Sequence, residues 1–401
     1  MSTCRRVLAL LAFAIISLPQ SAFAQLINPH VFQSRVDLYP YGSTGVTESC
    51  FWKNVVYLSS DSDNNCLYSV DASDPGNLQY ISRALDKGGH CNEPMVVDDI
   101  LYVAAWNADI RVFDVSTPGQ MNQIGWISAP GEYFWGLDVS NDRVYATQSD
   151  NSVSRHLQIL DVSNPSSPSV MKKYTVPERV IAGVAVRGSY AYVANYNHLL
   201  VINISDELNP YTAKDINLGH LLACVEIRDN YLFVGSEEAA GGLYVFDISD
   251  PSDPIQVDNL PNCAARDMYL LGDYAFLAGN GLTTVRISDP TDLRALLATY
   301  MKNYTDAVSA YELTVTGNDR HIYVSDLEMY YQTVPPYDNY WKGRTYAFEV
   351  LTEDPDDAGP GKWKDLRPRR LRGMSNTRPT ICPPQAIPPG RFTKGRTRGQ
   401  A

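Results

Sequence analysis

Residues 243–251 read LYVFDISDP, an apolar strand that ends in an Asp-aliphatic-Ser-Asp-Pro corner. The pattern has seven copies, which are LYSVDASDP (67–75), IRVFDVSTP (110–118), LQILDVSNP (157–165), LLVINISD (199–206), LYVFDISDP (243–251), TTVRISDP (283–290) and YAFEVL (346–351). Equivalent positions in the first six copies lie 39 to 47 residues apart, and an insertion at 327–343 lengthens the last interval. A period of roughly 40–45 residues is typical of the four-stranded blade of a β-propeller.

A second strand rich in Tyr, Phe, Val and Leu precedes each corner strand, as at 190–193 and 231–234, and polar turns come before it. A fourth strand follows most of the corners. Short β-rich strands between turn residues predict antiparallel meanders. The sequence therefore predicts an all-β protein, a seven-bladed β-propeller whose blades are four-stranded and antiparallel.

The seventh copy lacks a fourth strand, whereas the strand-like residues 31–38 have no blade of their own. We predict that this N-terminal strand completes the seventh blade and closes the ring, because closure removes exposed sheet edges. In the corners, Asp and Ser side chains are expected to bond nearby backbone N–H groups, and Pro ends the ladder. Asn203, Arg286 and Glu349 replace the first Asp, so those three corners are expected to close differently.

The corner strand, with YAYVA (190–194) before it, resembles the LVIVD repeat of bacterial and archaeal exported proteins. The resemblance covers about residues 31–355 and is weakest in the last two copies. It implies a propeller on or outside the cell surface. It implies no activity and supplies no catalytic residue, because propellers host many unrelated functions.

The two ends of the chain differ from its body. Residues 1–24 combine Arg5, Arg6 and a twelve-residue apolar run with a small-x-small cleavage site, as in a secretory signal peptide. Residues 362–401 contain eleven Lys/Arg against one Asp, and subtracting both segments from the total charge of −12 leaves −24 for residues 25–361. We expect an exported protein without a transmembrane segment, with a propeller at 25–355 and a disordered basic tail rich in Pro, Gly and Arg at 356–401.

The acidic body argues against a nucleic-acid interface on the propeller. Export permits disulfide bonds among the six cysteines that follow the leader, which are Cys50, Cys66, Cys91, Cys224, Cys263 and Cys382. Six cysteines allow about fifteen pairings, and the sequence does not choose among them.

Loops that lead into the innermost strands share one face of a propeller with the loops that join the second and third strands. They surround the mouth of the central channel, where a ligand can be buried. We predict lead-in loops at 41–50, 87–94, 130–135, 177–182, 219–224, 261–267 and 304–311. These segments differ from one another far more than the strands do.

Three functions are compatible with this face. The favoured one is binding of a protein or carbohydrate ligand, since aromatic side chains suit sugar rings and partner hot spots; the candidates are Trp135, Tyr133, Glu93, Asp267, Tyr340 and Trp341. The alternative is a polysaccharide lyase or hydrolase, with His90, His220 or Tyr133 as the base and Arg179 or Arg266 holding a carboxylate. The third is a metal site with His90, Cys91, His220 and Cys224 as N/S ligands. The sequence indicates no particular cofactor.

Overall fold

The computed structural model describes residues 30–41, 45–60, 65–85, 91–105, 109–128, 132–150, 155–177, 181–279, 281–299, 309–318, 320–331 and 339–350. These residues form seven antiparallel sheets of four strands each, with one 3₁₀ turn at Tyr39–Tyr41. The seven sheets are the blades of a β-propeller, as the repeats predict. No helix within the described ranges is long and apolar enough to cross a bilayer.

The strands follow the chain from the inside of each blade to the outside. Blades 1 to 3 consist of β2 (Val46–Trp52), β3 (Val55–Ser60), β4 (Asn65–Asp71) and β5 (Gln79–Leu85); β6 (Cys91–Val97), β7 (Ile100–Ala105), β8 (Asp109–Asp114) and β9 (Asn122–Ser128); and β10 (Glu132–Ser140), β11 (Arg143–Asp150), β12 (Arg155–Asp161) and β13 (Ser169–Val176).

Blades 4 to 6 repeat this order. They consist of β14 (Ile181–Arg187), β15 (Tyr190–Asn195), β16 (His198–Asn203) and β17 (Tyr211–Asn217); β18 (Leu222–Arg228), β19 (Tyr231–Ser236), β20 (Leu243–Asp247) and β21 (Ile255–Leu260); and β22 (Asp267–Leu271), β23 (Tyr274–Ala278), β24 (Leu282–Arg286) and β25 (Arg294–Thr299).

Blade 7 combines both ends of the propeller. Its inner strands are β26 (Ser309–Gly317), β27 (His321–Tyr331) and β28 (Asn339–Val350), and its outer strand is β1 (His30–Asp37). β1 runs antiparallel to β28, with His30 opposite Val350 and Asp37 opposite Arg344. The predicted closure of the ring by the N-terminal strand is confirmed. The closing strand also contacts blade 1, because the Ser34 hydroxyl donates to the Pro75 carbonyl at 2.6 Å.

The apolar core lies between the blades. The described residues contain seven core clusters, one at each interface between neighbouring blades. The second strand of a blade faces two such interfaces, and every residue of β3 is therefore buried. Burial on both faces explains why these strands read as continuous apolar runs, in contrast to the alternating strands of a half-exposed sheet.

The corners close as their chemistry predicts. One Oδ1 atom accepts the backbone N–H two residues later at 2.7–2.9 Å in four blades, with Asp71, Asp114, Asp161 and Asp247 as the acceptors. Hydrogen bonds from the side chain and backbone of Ser249 hold the pKa of Asp247 below its usual range. The expectation for Asn203 is wrong, since its amide oxygen accepts the Ser205 N–H at 3.0 Å in the same geometry. An amide oxygen accepts a hydrogen bond as a carboxylate does, so no charge is needed.

The other two replaced corners differ, as expected. The corner after Arg286 is held by its second acidic residue, Asp289, whose Oδ1 accepts the Thr291 N–H at 2.9 Å. Glu349 instead pairs with Arg320 at 2.9 Å, because β28 continues into no fourth strand of its own.

Two of the corners also bind a tyrosine of the preceding blade. The Tyr192 hydroxyl of blade 4 donates to the Pro251 carbonyl in the corner of blade 5 at 2.9 Å. The Tyr145 hydroxyl of blade 3 donates to Glu207 in the corner of blade 4 at 2.9 Å. At these two interfaces the tyrosine of the second strand and the corner motif contact each other directly.

Candidate functional site

The mouth of the channel is built from the lead-in loops and the turns between second and third strands. In blade 4 the turn Tyr196–Asn197 joins β15 to β16, and residues 218–221 lead into β18. The Leu222 N–H donates to the Tyr196 carbonyl at 2.7 Å. The two kinds of loop therefore meet on one face, as the sequence predicts.

Backbone hydrogen bonds link these loops sideways from blade 4 to blade 6. The Glu237 N–H donates to Leu221 O at 2.9 Å, and the Ala265 N–H donates to Ser236 O at 2.8 Å. The Asn262 N–H adds a bond of 2.7 Å to Ala239 O. We call this surface, residues 195–198, 218–222, 236–242 and 260–266, the blade 4–6 platform. Its loops are fixed by one another, so it is organised before any ligand arrives.

The platform needs glycine at one position. Gly242 has φ of +73°, and a Cβ added there would collide with the Leu260 carbonyl. Only glycine adopts this backbone conformation so close to another main chain without strain. The tight approach brings the loop 236–242 against the loop that leads into blade 6.

Two pairs of oppositely charged groups lie on the platform. His220 Nδ1 lies 2.8 Å from Glu238 Oε2, and the Arg266 guanidinium lies 3.1 Å from Glu237 Oε1. Two of the five predicted catalytic residues, His220 and Arg266, thus lie at the mouth. Each already has a carboxylate partner on the loop of blade 5.

Tyr196 is a residue of the mouth that the sequence prediction missed. Its side chain is 45% exposed, and its φ is +58° at the first position of a two-residue turn. A positive φ is uncommon for a bulky residue and marks a functional or strained position. The weak signal in the sequence was an aromatic residue next to Asn between two apolar strands.

The predicted ligand residues Glu93 and Asp267 lie on innermost strands and bind the next blade. Glu93 Oε2 accepts the Leu137 N–H at 3.1 Å. Asp267 accepts the Val315 N–H through Oδ2 and its neighbour Met268 N–H through Oδ1, both at 2.7 Å. Asp138 bridges two blades in the same way, because its Oδ2 accepts the Val186 N–H at 2.6 Å. These carboxylate bridges join blades 2 to 3, 6 to 7 and 3 to 4.

One of the bridges, from Glu93 to Leu137, lies at an irregularity in strand pairing, whereas the Val186 and Val315 N–H groups belong to residues in regular register. The inner strands of blades 1 to 5 and 7 shift register against their second strands, as between Phe134 and Leu137. A bulge leaves backbone groups outside the ladder, and a buried N–H must find another acceptor. Gly136 makes room for this, because a Cβ there would lie 3.0 Å from Glu93 Oε2 and 2.8 Å from Ala182 O.

The channel concentrates negative charge. Desolvation inside the ring, followed by the charges of Asp267 and Asp138, raises the pKa of Glu226 to about 8. Burial likewise raises the pKa of Glu93 well above its usual value, although the Leu137 N–H opposes the shift. Asp138 and Glu226 were missed by the sequence prediction. Their only signal was an acidic residue inside an otherwise apolar strand, as in LACVEIR (222–228).

The metal candidates have separate environments in the structure. Cys91 is buried at the first position of β6. The Cys224 thiol lies 3.5 Å from Ala265 O and packs against the core between blades 5 and 6, and burial, then Asp267 and Glu226, raise its pKa well above the usual value. Within the described ranges, no group of three or more His, Cys, Asp and Glu side chains is placed to hold a metal ion. His90 and Arg179 lie outside the described residues.

The aromatic candidates divide into two groups. Trp135 donates from Nε1 to Ser149 Oγ at 3.0 Å and packs against the core between blades 3 and 4. Tyr133, two residues earlier on β10, is partly exposed. Tyr340 and Trp341 lie on β28 opposite Tyr330 and Met329, so the insertion at 327–343 extends the hairpin of β27 and β28. Their side chains lie outside the description.

Comparison with protein families gives a match to the LVIVD repeat, found at residues 88–127, 134–176, 181–215, 223–260 and 263–301. These segments coincide with blades 2 to 6, each beginning near an innermost strand. The chain is therefore an LVIVD-repeat β-propeller. No curated protein matches the chain closely enough to compare functions.

Solved structures share the fold at low identity. A protein of unknown function from Desulfotomaculum acetoxidans aligns with TM-score 0.51 and 13% identity over 62% of this chain and 84% of that one. A chain of the Mitotic Checkpoint Complex gives 0.57 and 11% over 78% and 93%. Sqt1 of Saccharomyces cerevisiae gives 0.53 and 7% over 80% and 100%. At such identities the likeness concerns the fold alone.

Proposed function

We propose that the protein binds a protein or carbohydrate ligand at the mouth of its central channel, through the blade 4–6 platform. The observation that carries this proposal is the set of backbone hydrogen bonds that join the loops of blades 4, 5 and 6. Ordering loops costs free energy on binding, and a surface whose loops already hold one another avoids much of that cost. An exposed tyrosine on such a surface is the kind of rigid anchor that interfaces use.

The test compares two exposed tyrosines. Tyr196 is 45% exposed on the platform, and Tyr211 is 56% exposed on the outer strand of blade 4. The mature protein is screened against glycan arrays and candidate partner proteins, and the affinity for any hit is measured with both alanine variants. Tyr196→Ala is expected to weaken binding at least tenfold, in the range of about 1–2 kcal/mol for an anchoring aromatic residue. Tyr211→Ala leaves binding unchanged. Equal effects of the two substitutions, or an effect of Tyr211→Ala alone, contradict the proposed site.

One observation supports an enzyme as the second candidate. Glu238 contacts Nδ1 of His220 and leaves Nε2 of the half-exposed ring available, which is how a carboxylate orients a histidine base. Arg266, the residue predicted to hold a substrate carboxylate, lends less support because Glu237 already neutralises its charge. His220→Gln and Glu238→Gln separate the two functions: a loss of turnover with retained affinity favours a lyase or hydrolase, and a loss of affinity alone favours the binding protein.

We further propose that the protein is exported and carries a disulfide bond at Cys91. The thiols of Cys50, Cys224 and Cys263 are free. Fractionation of the producing cells tests export: finding the uncleaved chain in the cytoplasm would contradict it.

A further inference from the structure

The outer half of blade 2 reverses a pattern that three other blades follow. In blades 1, 3 and 4 the third strand buries a side chain completely, and the residue opposite it on the fourth strand is charged and exposed; these pairs are Tyr68–Arg83, Gln158–Lys173 and Leu200–Asp215. In blade 2 the charge lies on the inside, because Arg111 on β8 stands opposite Trp126 on β9. Trp126 is 56% exposed, whereas the side chain of Arg111 is only 17% exposed.

The recessed arginine has an acidic partner on its own strand. Arg111 Nη2 lies 2.9 Å from Asp109 Oδ2, and the side chain of Asp109 is likewise mostly buried. Residues two apart on a strand point to the same face of the sheet. Phe113 lies in the core between blades 1 and 2, so Arg111 and Asp109 also face blade 1. Asp109 begins β8, which places the ion pair at the end of the strand that is nearer the mouth.

The pairing of the two strands puts the indole ring beside the ion pair. Side chains directly opposite each other on antiparallel strands lie on the same face, with Cβ atoms about 4.5–5.5 Å apart. Trp126 is therefore the immediate neighbour of Arg111. The surface combines one exposed aromatic ring with a recessed pair of hydrogen-bonding groups, a guanidinium and a carboxylate.

This arrangement is unfavourable for folding alone. Removing a charged pair from water costs desolvation energy that can exceed the attraction between the charges. An exposed tryptophan forgoes the burial of a large apolar surface. Blade 1 avoids both costs, because it has Tyr68 on the inside and Arg83 on the outside. A residue pair that breaks the folding pattern without a structural gain is expected at functional positions.

We propose that Trp126, Arg111 and Asp109 form a saccharide-binding site on the outside of blade 2, separate from the blade 4–6 platform. A sugar ring has an apolar face, which suits an exposed indole. Its edge carries hydroxyl groups, which both donate and accept hydrogen bonds, and the guanidinium supplies donors while the carboxylate supplies an acceptor. Within the described part of blade 2, Trp126 is the one large apolar side chain that is exposed. A single ring suits a sugar better than the wide contact area of a protein interface.

The experiment applies the mature protein to an array of oligosaccharides that includes glucan, chitin, xylan and mannan fragments. The strongest binder is then titrated by isothermal titration calorimetry. Trp126→Ala is expected to weaken its binding at least tenfold, and Arg111→Lys, which keeps the charge but not the planar fork, also weakens it. Ile255→Ala removes an apolar side chain that is 64% exposed on the outer strand of blade 5, and this matched control leaves the affinity unchanged. Absence of binding to every oligosaccharide overturns the proposal, as does wild-type affinity in Trp126→Ala.

Two more variants separate this site from the mouth and from a structural role. Tyr196→Ala leaves the affinity for the oligosaccharide unchanged, whereas a loss in Tyr196→Ala alone supports the mouth and overturns the site on blade 2. Trp126→Lys copies the exposed Lys173 of blade 3, so it is expected to lose binding and still melt within about 2 °C of the wild type. A melting temperature lower by more than about 5 °C makes Trp126 a structural residue and overturns the proposal. Loss of a protein partner in Trp126→Ala, with oligosaccharide binding retained, overturns the saccharide assignment.

Discussion

Removing the N-terminal strand is expected to open the ring. A variant that begins at Gly42 lacks β1, whose seven residue pairs with β28 complete blade 7. It also lacks Leu38, which is fully buried in the core between blades 7 and 1. Burying a leucine contributes about 1.5–3 kcal/mol, and each ladder hydrogen bond adds about 1 kcal/mol net. The total loss is at least about 5 kcal/mol, which is comparable with the whole stability of many domains.

Thermal unfolding followed by near-ultraviolet circular dichroism measures this loss, with size-exclusion chromatography for association. The Gly42 variant is expected to melt at least about 10 °C below the mature protein, and its open β28 edge is expected to promote self-association. A variant beginning at His30 keeps β1 and is the matched control. Adding a peptide of residues 30–41 is expected to restore part of the melting temperature. Equal melting of the Gly42 variant and the mature protein refutes the closure of the ring by β1.

Four further outcomes are expected. Asp247→Ala lowers the urea midpoint because the Ser249 N–H loses its acceptor, whereas Asp247→Asn retains it, as Asn203 shows in blade 4; equal losses in both variants would contradict the corner mechanism. Tyr192→Phe costs about 1 kcal/mol of unfolding free energy, since only the hydroxyl bond to Pro251 is lost, and an unchanged midpoint would show that the bond is worth nothing. Gly136→Ala costs about 1–3 kcal/mol because its Cβ meets Ala182 O; a neutral effect would mean that the bulge relaxes freely. Non-reducing peptide mapping is expected to join Cys91 to another cysteine and to find Cys224 as a thiol, and alkylation of Cys91 without a reductant would exclude the bond.

Local chemistry made the architecture predictable. The corner Asp-x-Ser-Asp-Pro acts within a few residues, so its hydrogen bonds can be inferred from spacing alone, and its recurrence counts the blades. The missing fourth strand after the seventh copy and the spare strand at 31–38 were enough to predict the closure. The prediction for Asn203 was wrong because the corner needs only an oxygen acceptor, which an amide supplies as well as a carboxylate.

The site was less predictable because it arises between loops that are distant in sequence. His220 and Arg266 were placed at the mouth correctly, but their partners Glu238 and Glu237 come from a loop 18 and 29 residues away in sequence. The Arg266–Glu237 pair also depends on the rotation from blade 5 to blade 6. No periodic pattern in the sequence records them.

The sequence by itself determined the blade count, the corner chemistry and the strand that closes the ring, because these depend on contacts within one repeat or on a gap in the repetition. Only the tertiary structure decided that Glu93, Asp138 and Asp267 connect neighbouring blades while Glu226 has no hydrogen-bond donor among the described residues. All four are acidic residues on innermost strands and look alike in the sequence. Which of them meets a backbone N–H depends on the innermost strand of the next blade, and only the assembled ring brings those groups together.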